Sequence, residues 1–584
     1  MKWYWKVLIA VSLVLIVSIL SADYVASVII DKKVKLIQKE LEGQYNFDYS
    51  KLKVSIIKKE ISLKGFTFET VLDSVNTHNK LDLKLKKLVF KFNNYREVLI
   101  EGKLRVKKII LNQPTIYYGL KKKLHKDNVE ENAFDAQPEI EDDLITKNPN
   151  DKLLRLIVFE SIELKKGKAE IFHLDEPDND VLKIEDADLM VENLRVDLTA
   201  ANIEAMLKSD EFNLSLIGVS TDELKNQSLT IGKIEFKLSS KLLSISDFHI
   251  KNKKGTEAFA SSQKYRSPWL DISVSEIDIH MNPWHLYRKG VIYFKKVEID
   301  GVKAALYNDI TLELNSSHKP MPSRAIRDIN IPFKIDSLII KDSELVYKHK
   351  GKAKKPGVLE FNSLNVAVSN ITNIDYVIEN DPMLVIDIKA KLWDAGKLDT
   401  KISIDLKNKK DIVYAVGTLS NMSLKKAENM IKPLYGVEIT SGYIDRLHYD
   451  FVMNEDIGKG KLKFDYKEMK VDIKKNENDN KNVKSSEHKS SKFFSFVANE
   501  AVIANNIPGS KGYIHNGLMI FDRTKNKPIF DLYWHCIQVG LMDIVVPDIL
   551  YKAEANYYKK EKKKEKQVNK DKTKKNKKRS KKKN

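Results

Sequence analysis

The sequence predicts a mainly β protein. We expect an N-terminal transmembrane helix, then an elongated, curved antiparallel β-sheet with a groove, built from a repeated unit and accompanied by a few short helices. Three observations lead to this fold class. Apolar and polar residues alternate over long segments, the alternating pattern of residues 52–194 recurs at 234–371, and an apolar stretch stands near the N-terminus. A period of two places all apolar side chains of a strand on one face.

The repeat is clearest in one strand of each copy. The second copy keeps the spacing of the first, and the offset between equivalent positions drifts from 182 to 189, 188 and 176 along the chain. Such drift is typical of loop insertions between preserved strands. The apolar residues of the first copy are Leu81, Leu83, Leu85, Leu88, Phe90 and Phe92, and those of the second are Leu270, Ile272, Val274, Ile277, Ile279 and Met281.

The alternation slips by one residue at matching places of the two copies. These places are residues 85–88 and 106–109 in the first copy, and 274–277 and 294–297 in the second. A slip turns later side chains to the wrong face unless a β-bulge absorbs it, and bulges bend a sheet. We therefore expect bulges and a strongly curved sheet, apolar on its inner face. The alternative is a β-sandwich in which the bulges have no special role.

An apolar segment near the N-terminus predicts a membrane anchor over residues 7–30. A transmembrane helix needs about 20 apolar residues, and Lys2 and Lys6 favour a cytoplasmic location for residues 1–6. A cleaved signal peptide is the alternative, although suitable small residues are missing at the candidate cleavage positions. The anchor residues are Val7, Leu8, Ile9, Leu13, Leu15, Ile16, Ile19 and Leu20.

The remaining chain divides into further segments. A helical extension is expected at 31–43, because apolar residues continue there at helical spacing up to Gly43. Beyond it we expect a first β repeat unit (44–230), a second β repeat unit (231–405), a C-terminal β region (406–547) and a disordered Lys-rich tail (548–584). The C-terminal region contains a predicted helix at 423–432 and a flexible Asn/Lys/Ser-rich insertion at 474–492.

No catalytic or metal-binding motif stands out in the sequence. The 22 glycines form no phosphate-binding loop, and the 12 histidines include no metal-binding pattern such as His-Glu-x-x-His. The single cysteine, Cys536, excludes an intramolecular disulfide, and His535 beside it is more typical of a buried side chain than of a nucleophile's partner. We therefore expect no enzyme activity, no catalytic residue, no metal and no cofactor.

Several segments resemble the AsmA-like superfamily of envelope proteins, which also includes TamB and YhdP. The resemblance is carried by the anchor, by Leu63-Lys64-Gly65-Phe66 and by Asn112-Gln113-Pro114-Thr115-Ile116. The C-terminal part is similar to an uncharacterised AsmA-like subfamily. Its matching segments are Gly417-Thr418-Leu419, helix 423–432 with Pro433, Ser441-Gly442-Tyr443-Ile444-Asp445, Gly460–Val471 and Phe521-Asp522-Arg523-Thr524 through Phe530, Trp534 and Gly540.

The resemblance implies a protein anchored in the bacterial inner membrane, with most of the chain in the periplasm. It also implies an apolar groove that binds or conducts phospholipid for the maintenance of the outer membrane. The twelve apolar residues of the two copies would line this groove. An acyl chain of sixteen carbons would gain on the order of 10 kcal/mol there, much of which the bilayer also offers. The alternative is a non-enzymatic scaffolding protein of the envelope, in which the same residues fill a dry core.

The Lys-rich tail indicates an anionic partner. Residues 552–584 carry 17 Lys and Arg against 4 Asp and Glu, out of a net charge of +20 for the whole chain. Nucleic acid is not expected, because the predicted topology places the tail across the membrane from it. Anionic lipid or lipopolysaccharide would attract the tail at about 1 kcal/mol per basic residue. A disordered, solubilising end is the alternative.

Overall fold

A computed structural model describes residues 22–32, 34–36, 38–39, 45–70, 80–92, 103–120, 156–174, 176–197, 207–222, 224, 226–281, 290–473 and 503–545. The eight anchor residues between Val7 and Leu20, the insertion at 474–492 and the tail at 548–584 lie outside these residues. Predictions on those segments therefore remain predictions.

The described chain is mainly β, as predicted, and its contacts divide it into two compact units. The first unit comprises Met1–Lys254, Asp271–Gly290 and Phe294–Ile299. Residues 22–32, 34–36 and 38–39 are helical and form α1. The strands are β1 (Tyr45–Asp48), β2 (Lys51–Ser55), β3 (Glu60–Thr70), β4 (Lys80–Phe92), β5 (Lys103–Leu120), β6 (Leu156–His173), β7 (Glu176–Asp197), β8 (Leu207–Lys208), β9 (Glu211–Thr221), β10 (Gln227–Lys237), β11 (Leu242–Asn252), β12 (Trp269–Met281) and β13 (Ile292–Asp300).

The second unit comprises Gly255–Leu270, Val291–Tyr293 and Asp300–Asn584. Its strands are β14 (Lys303–Asp309), β15 (Phe333–Lys350), β16 (Gly357–Thr372), β17 (Met383–Leu392), β18 (Gly396–Asp405), β19 (Val413–Ser423), β20 (Val437–Met453), β21 (Ile457–Ile473) and β22 (Gly517–Asp522). Its helices are α2 (Thr256–Ser261), α3 (Pro322–Arg327), α4 (Asp375–Asn380), a 3-10 turn (Leu424–Ala427), α5 (Glu428–Tyr435) and α6 (Ile529–Val545).

The strands follow one another through the sheet, and most of the pairs named below are antiparallel. In the first unit β3, β4 and β5 pair antiparallel, β5 and β6 pair parallel, and β6, β7, β9, β10, β11 and β12 continue antiparallel. In the second unit β14 and β15 are parallel and β15 to β22 are antiparallel. The prediction of an antiparallel sheet was therefore wrong in part, and the sheet is mixed. A parallel pair needs a long crossover connection, and residues 121–155 and 310–332 supply one in each copy.

The backbone confirms the internal repeat. In both copies a parallel pair, β5–β6 or β14–β15, is followed by an antiparallel pair, β6–β7 or β15–β16. Non-glycine residues seldom adopt a positive φ, so recurrence of this conformation at equivalent positions is specific. The equivalent positive-φ pairs are Lys59 and Lys241, Gly65 and Asp247, Gln113 and Gly301, and Lys166 and Asp342.

The predicted slips have two different structural outcomes. At 106–109 the register shifts, since Lys91 lies opposite Lys108 and Phe92 opposite Val106, which is the expected bulge. At 85–88 the register between β3 and β4 is unbroken. Each strand leaves one residue out of the paired register there, and in β3 this residue is Gly65, at a φ of 56°. The predicted one-strand bulge at 85–88 was wrong, because the neighbouring strand carries the same three-residue spacing and stays paired.

The two units differ in how they bury apolar side chains. Helices α3, α5 and α6 lie on strands of the second unit and help to enclose a large core there. Members of this core that are almost inaccessible to solvent are Leu406, Val413, Ala415, Phe451, Leu462, Tyr466, Met519, Cys536 and Ile544. In the described part of the first unit, the corresponding buried cluster consists of Leu63, Leu85 and Leu88.

Helix α1 lies along the edge of the first unit's sheet. Its Ser27 Oγ accepts a hydrogen bond of 2.9 Å from the backbone N–H of Val54, and its Asp23 carboxylate accepts one of 2.7 Å from the N–H of Ile56. An exposed edge strand is a site of unwanted pairing, and these bonds occupy donors of β2. Among the described residues, no helix is both long enough and apolar enough to cross a membrane.

Candidate functional site

Two continuous rows of apolar residues cross nine strands of the first unit. Each residue lies directly opposite the next across the strand pairs, so all members of a row share one face of the sheet. The Leu63 row consists of Leu63, Leu88, Leu111, Leu164, Leu189, Leu214, Phe236, Leu243 and Ile279. The Phe68 row consists of Phe68, Leu83, Ile116, Ala169, Ile184, Val219, Ile231, Phe248 and Val274.

These rows remain accessible over most of their length. Four of their members, Leu63, Leu88, Val219 and Val274, are buried, and the others are half-buried. Within the described residues, the extensive contacts of β3 to β11 are with neighbouring strands, and the helices α2, α3, α5 and α6 contact strands of the second unit. With strands about 4.8 Å apart, nine strands give an apolar surface roughly 38 Å long. We call this surface the apolar face.

The opposite face of the same strands carries ion pairs beside apolar residues such as Val89 and Met190. Lys108 Nζ lies 2.6 Å from the Glu163 carboxylate, and Lys165 Nζ lies 2.9 Å from it. Burial opposes ionisation of Glu163, but hydrogen bonds from the two lysines outweigh it and lower its pKa. Further along, His249 contacts Asp271 at 2.7 Å. The described ion pairs of these strands thus lie on the face opposite the two apolar rows.

The structure brings predicted groove residues from the two copies into common rows. Leu88 and Ile279 belong to the Leu63 row, and Leu83 and Val274 to the Phe68 row. Leu85 is buried and Ile277 is half-buried, and each lies between the two rows on its strand. The other predicted residues, Leu81, Phe90, Phe92, Leu270, Ile272 and Met281, are all half-buried.

The prediction missed most of the apolar face. Residues on β6, β7, β9 and β10 contribute eight members of the two rows, and none of them was predicted to line the groove. Their alternation is as regular as that of β4, for example at Leu214, Leu216 and Val219. A comparison of every strand with its neighbours, rather than of one copy with the other, would have found them.

In the second unit, helix α6 covers one side of the sheet. Gly540 approaches the sheet so closely that a Cβ there would lie 2.7 Å from Met519 Cγ. A hydroxyl network links the helix to the sheet, because Tyr533 donates to the Tyr449 hydroxyl at 2.6 Å and Tyr449 lies 2.6 Å from the Thr400 hydroxyl. Burial raises the pKa of the Tyr533 and Tyr449 hydroxyls, so both stay neutral. This network holds α6 in place.

Groups suited to chemistry are scarce in the described chain. Burial raises the pKa of the Cys536 thiol to about 12, which keeps it protonated and unreactive. Among the described residues, no three His, Cys, Asp or Glu side chains are grouped so that they could hold a metal ion. The apolar face therefore remains the strongest candidate for a functional surface.

Comparison with known proteins adds no relative. No protein-family model matches the chain, and no curated protein matches it.

Proposed function

We propose that this chain is an AsmA-like protein, anchored in the bacterial inner membrane with its bulk in the periplasm, and that its apolar face binds or conducts phospholipid for outer-membrane lipid homeostasis. The proposal assigns the chain no catalytic residue, cofactor or metal. The observation that carries it is the pair of apolar rows across nine strands of the first unit, accessible to solvent, with the described ion pairs of these strands on the opposite face.

The energetics favour conduction over storage. Each buried methylene is worth about 0.8 kcal/mol whether it lies on the apolar face or in a bilayer. An acyl chain would therefore exchange one apolar surrounding for another at little net cost. The half-buried state of Leu111, Leu164 and Leu189 leaves surface for such contacts. A headgroup would remain in water beside the rows.

Photo-crosslinking in cells tests this proposal on the full chain. A photoreactive amino acid at Leu189, in the middle of the Leu63 row, should form adducts with radiolabelled phospholipid. The matched control places the same group at Asp188, the preceding residue, whose exposed side chain points to the opposite face. Adducts at 189 and none at 188 support the proposal, whereas equal yields at both, or none at either, contradict it.

A paired substitution tests the chemistry of the face. Leu214→Lys places an ammonium in the Leu63 row and should abolish the adducts at 189. Ser215→Lys places the same charge on the other face, opposite Asp188 and Glu235, and should leave them unchanged. Loss of adducts in both variants would point to general destabilisation and would contradict a role specific to the apolar face.

A scaffolding role in the envelope is the second candidate. The enclosed core of the second unit, with α6 covering the sheet, is the observation that favours it. It predicts that no lipid is crosslinked at 189 and that charged substitutions in the rows act only through stability.

A further inference from the structure

The turn between β2 and β3 exposes two adjacent isoleucines. Ile56 is 47% exposed and Ile57 is 66% exposed. Two lysines, Lys58 and Lys59, complete the turn, and the Lys59 N–H donates to the Ile56 carbonyl at 3.2 Å. Aliphatic side chains this exposed at a turn gain nothing from the fold itself, and exposed apolar patches rimmed by polar residues mark interaction sites.

The turn stands beside a group of lysines from two other strands. An open depression of about 400 Å³ is lined by Ile57, Lys58, Lys59, Lys91, Phe92, Lys107 and Lys108. Lys91 Nζ lies 3.8 Å from the Glu60 carboxylate, and Lys108 Nζ lies 2.6 Å from that of Glu163. Among the described residues, the lining comprises five lysines and no carboxylate, which favours an anionic ligand.

The internal repeat supplies a control for this turn. In the second copy, residues 238–241 form the same turn between β10 and β11, with the Lys241 N–H donating to the Leu238 carbonyl at 3.1 Å. The φ of Lys59 is 49° and that of Lys241 is 52°. The sequences differ, since Ile-Ile-Lys-Lys in the first copy corresponds to Leu-Ser-Ser-Lys in the second. The turn geometry therefore does not require the isoleucines or the extra lysine.

The turn also lies against the beginning of the described part of α1. Asp23 accepts the hydrogen bond from the Ile56 N–H, and the residues that follow it expose an apolar surface. Tyr24 is 71% exposed and Val25 is 55% exposed. Residues 7–22, which precede this point in the chain, are almost entirely apolar or small. The exposed isoleucines are thus next to the place where the apolar N-terminal segment joins the first unit.

We propose that Ile56, Ile57 and the neighbouring lysines dock the first unit on an anionic phospholipid bilayer, with the isoleucines in the interface and the ammonium groups on headgroup phosphates. This inference rests on the proposed function and adds a lipid class and a direction to it. Anionic phospholipid would then meet the apolar face beside the turn between β2 and β3. Each lysine near such a surface favours binding about fivefold.

Fluorescence quenching in vesicles tests the docking with the full chain. A polarity-sensitive fluorophore is attached at Ile57→Cys and, in a separate protein, at Ser239→Cys in the equivalent turn. The native Cys536 is buried and does not compete for the label. The proteins are reconstituted in phosphatidylcholine vesicles with and without phosphatidylglycerol, each containing a lipid whose acyl chain carries a quencher.

The expected result is strong quenching at position 57 that increases with phosphatidylglycerol, and none at position 239. Lys58→Gln together with Lys107→Gln should lower the docked-to-undocked ratio on the order of twentyfold. Equal quenching at both positions, or quenching at position 57 that does not change with phosphatidylglycerol content, overturns the inference. Lipid adducts at Leu189 without quenching at position 57 would refute the docking site but not the proposed function. Quenching at position 57 without adducts at Leu189 would refute the proposed function but not the docking.

Discussion

Asp411 is the most completely enclosed carboxylate of the second unit's ion pairs. Its side chain is inaccessible to solvent and accepts hydrogen bonds from Ser323 at 2.8 Å, Arg324 at 2.7 Å and Arg327 at 2.5 Å. Burial opposes its ionisation, but the hydrogen bonds from Ser323 and Arg327 and the charges of the two arginines outweigh it and lower its pKa. One carboxylate thus fastens α3 to the turn between β18 and β19.

Replacing this carboxylate should be costly. Asp411→Asn leaves two arginines without their charged partner, and we expect a loss on the order of 3 kcal/mol in the free energy of unfolding of the second unit. Denaturant unfolding measures it. The control is Asp394→Asn, because that exposed carboxylate lies 4.0 Å from Lys391 and such a pair contributes little. A loss as small as that of the control would contradict the structural role given to Asp411.

His349 should make the stability of the second unit depend on pH. Burial lowers the pKa of His349 to about 4, and the positive charge of Arg266 acts in the same direction. The unfolded chain then binds a proton at a higher pH than the folded one, so stability is full above about 6.5 and falls as the pH drops toward 4. Thermal unfolding at several pH values measures this decline.

The variant His349→Gln isolates the contribution of this histidine. Glutamine keeps an acceptor for the Tyr347 hydroxyl, which lies 3.2 Å from His349 Nε2, but it does not titrate. We expect the unfolding temperature of the variant to fall less than that of the parent between pH 6.5 and 4. Parallel declines in the two proteins would show that other groups cause the pH dependence.

At the scale of elements, the sequence predicted strand positions better than strand partners. Alternation along β4 and β12 identified both strands, because a period of two is a local property. The parallel pairs β5–β6 and β14–β15 were missed, since alternation carries no information on the direction of a neighbouring strand. Helix 423–432 was predicted from its spacing, and helix is found at Leu424–Ala427 and Glu428–Tyr435.

The contact between α6 and β22 leaves no room for a side chain. A Cβ at Gly517 would lie 2.1 Å from the Gly540 carbonyl oxygen, so Gly517→Ala must push the helix away from the sheet. We expect a loss of about 2 kcal/mol and faster labelling of the Cys536 thiol, which faces the sheet from α6. The control is Gly255→Ala, because a Cβ there meets no atom within 4 Å. Equal labelling rates in both variants would mean that α6 tolerates the displacement.

At the scale of the molecule, the candidate site could be predicted only in outline. The repeat and the one-sided apolar pattern indicated an apolar face, and four of the predicted residues are members of its rows. Which described strands lack a covering helix was not predictable, because alternation along a strand does not show which strands a helix packs on. Ser323 and Asp411, for example, are 88 residues apart. The periodicity of the sequence gives no information on such non-local contacts.

Backbone hydrogen exchange should separate the two units. Amides in β18 to β21, beneath the enclosed core, should exchange more slowly than amides in β7 to β10, where described elements leave the apolar rows accessible. If phospholipid occupies these rows, its addition to the delipidated full chain in detergent should slow exchange in β7 to β10 and leave β18 to β21 unchanged. Mass spectrometry of peptic peptides measures both regions at once, and Leu214→Lys should remove the effect of lipid while Ser215→Lys preserves it.

Equal protection of the two regions before lipid is added would mean that the rows are already covered. The apolar face would then be a core, and the scaffolding role would account for it.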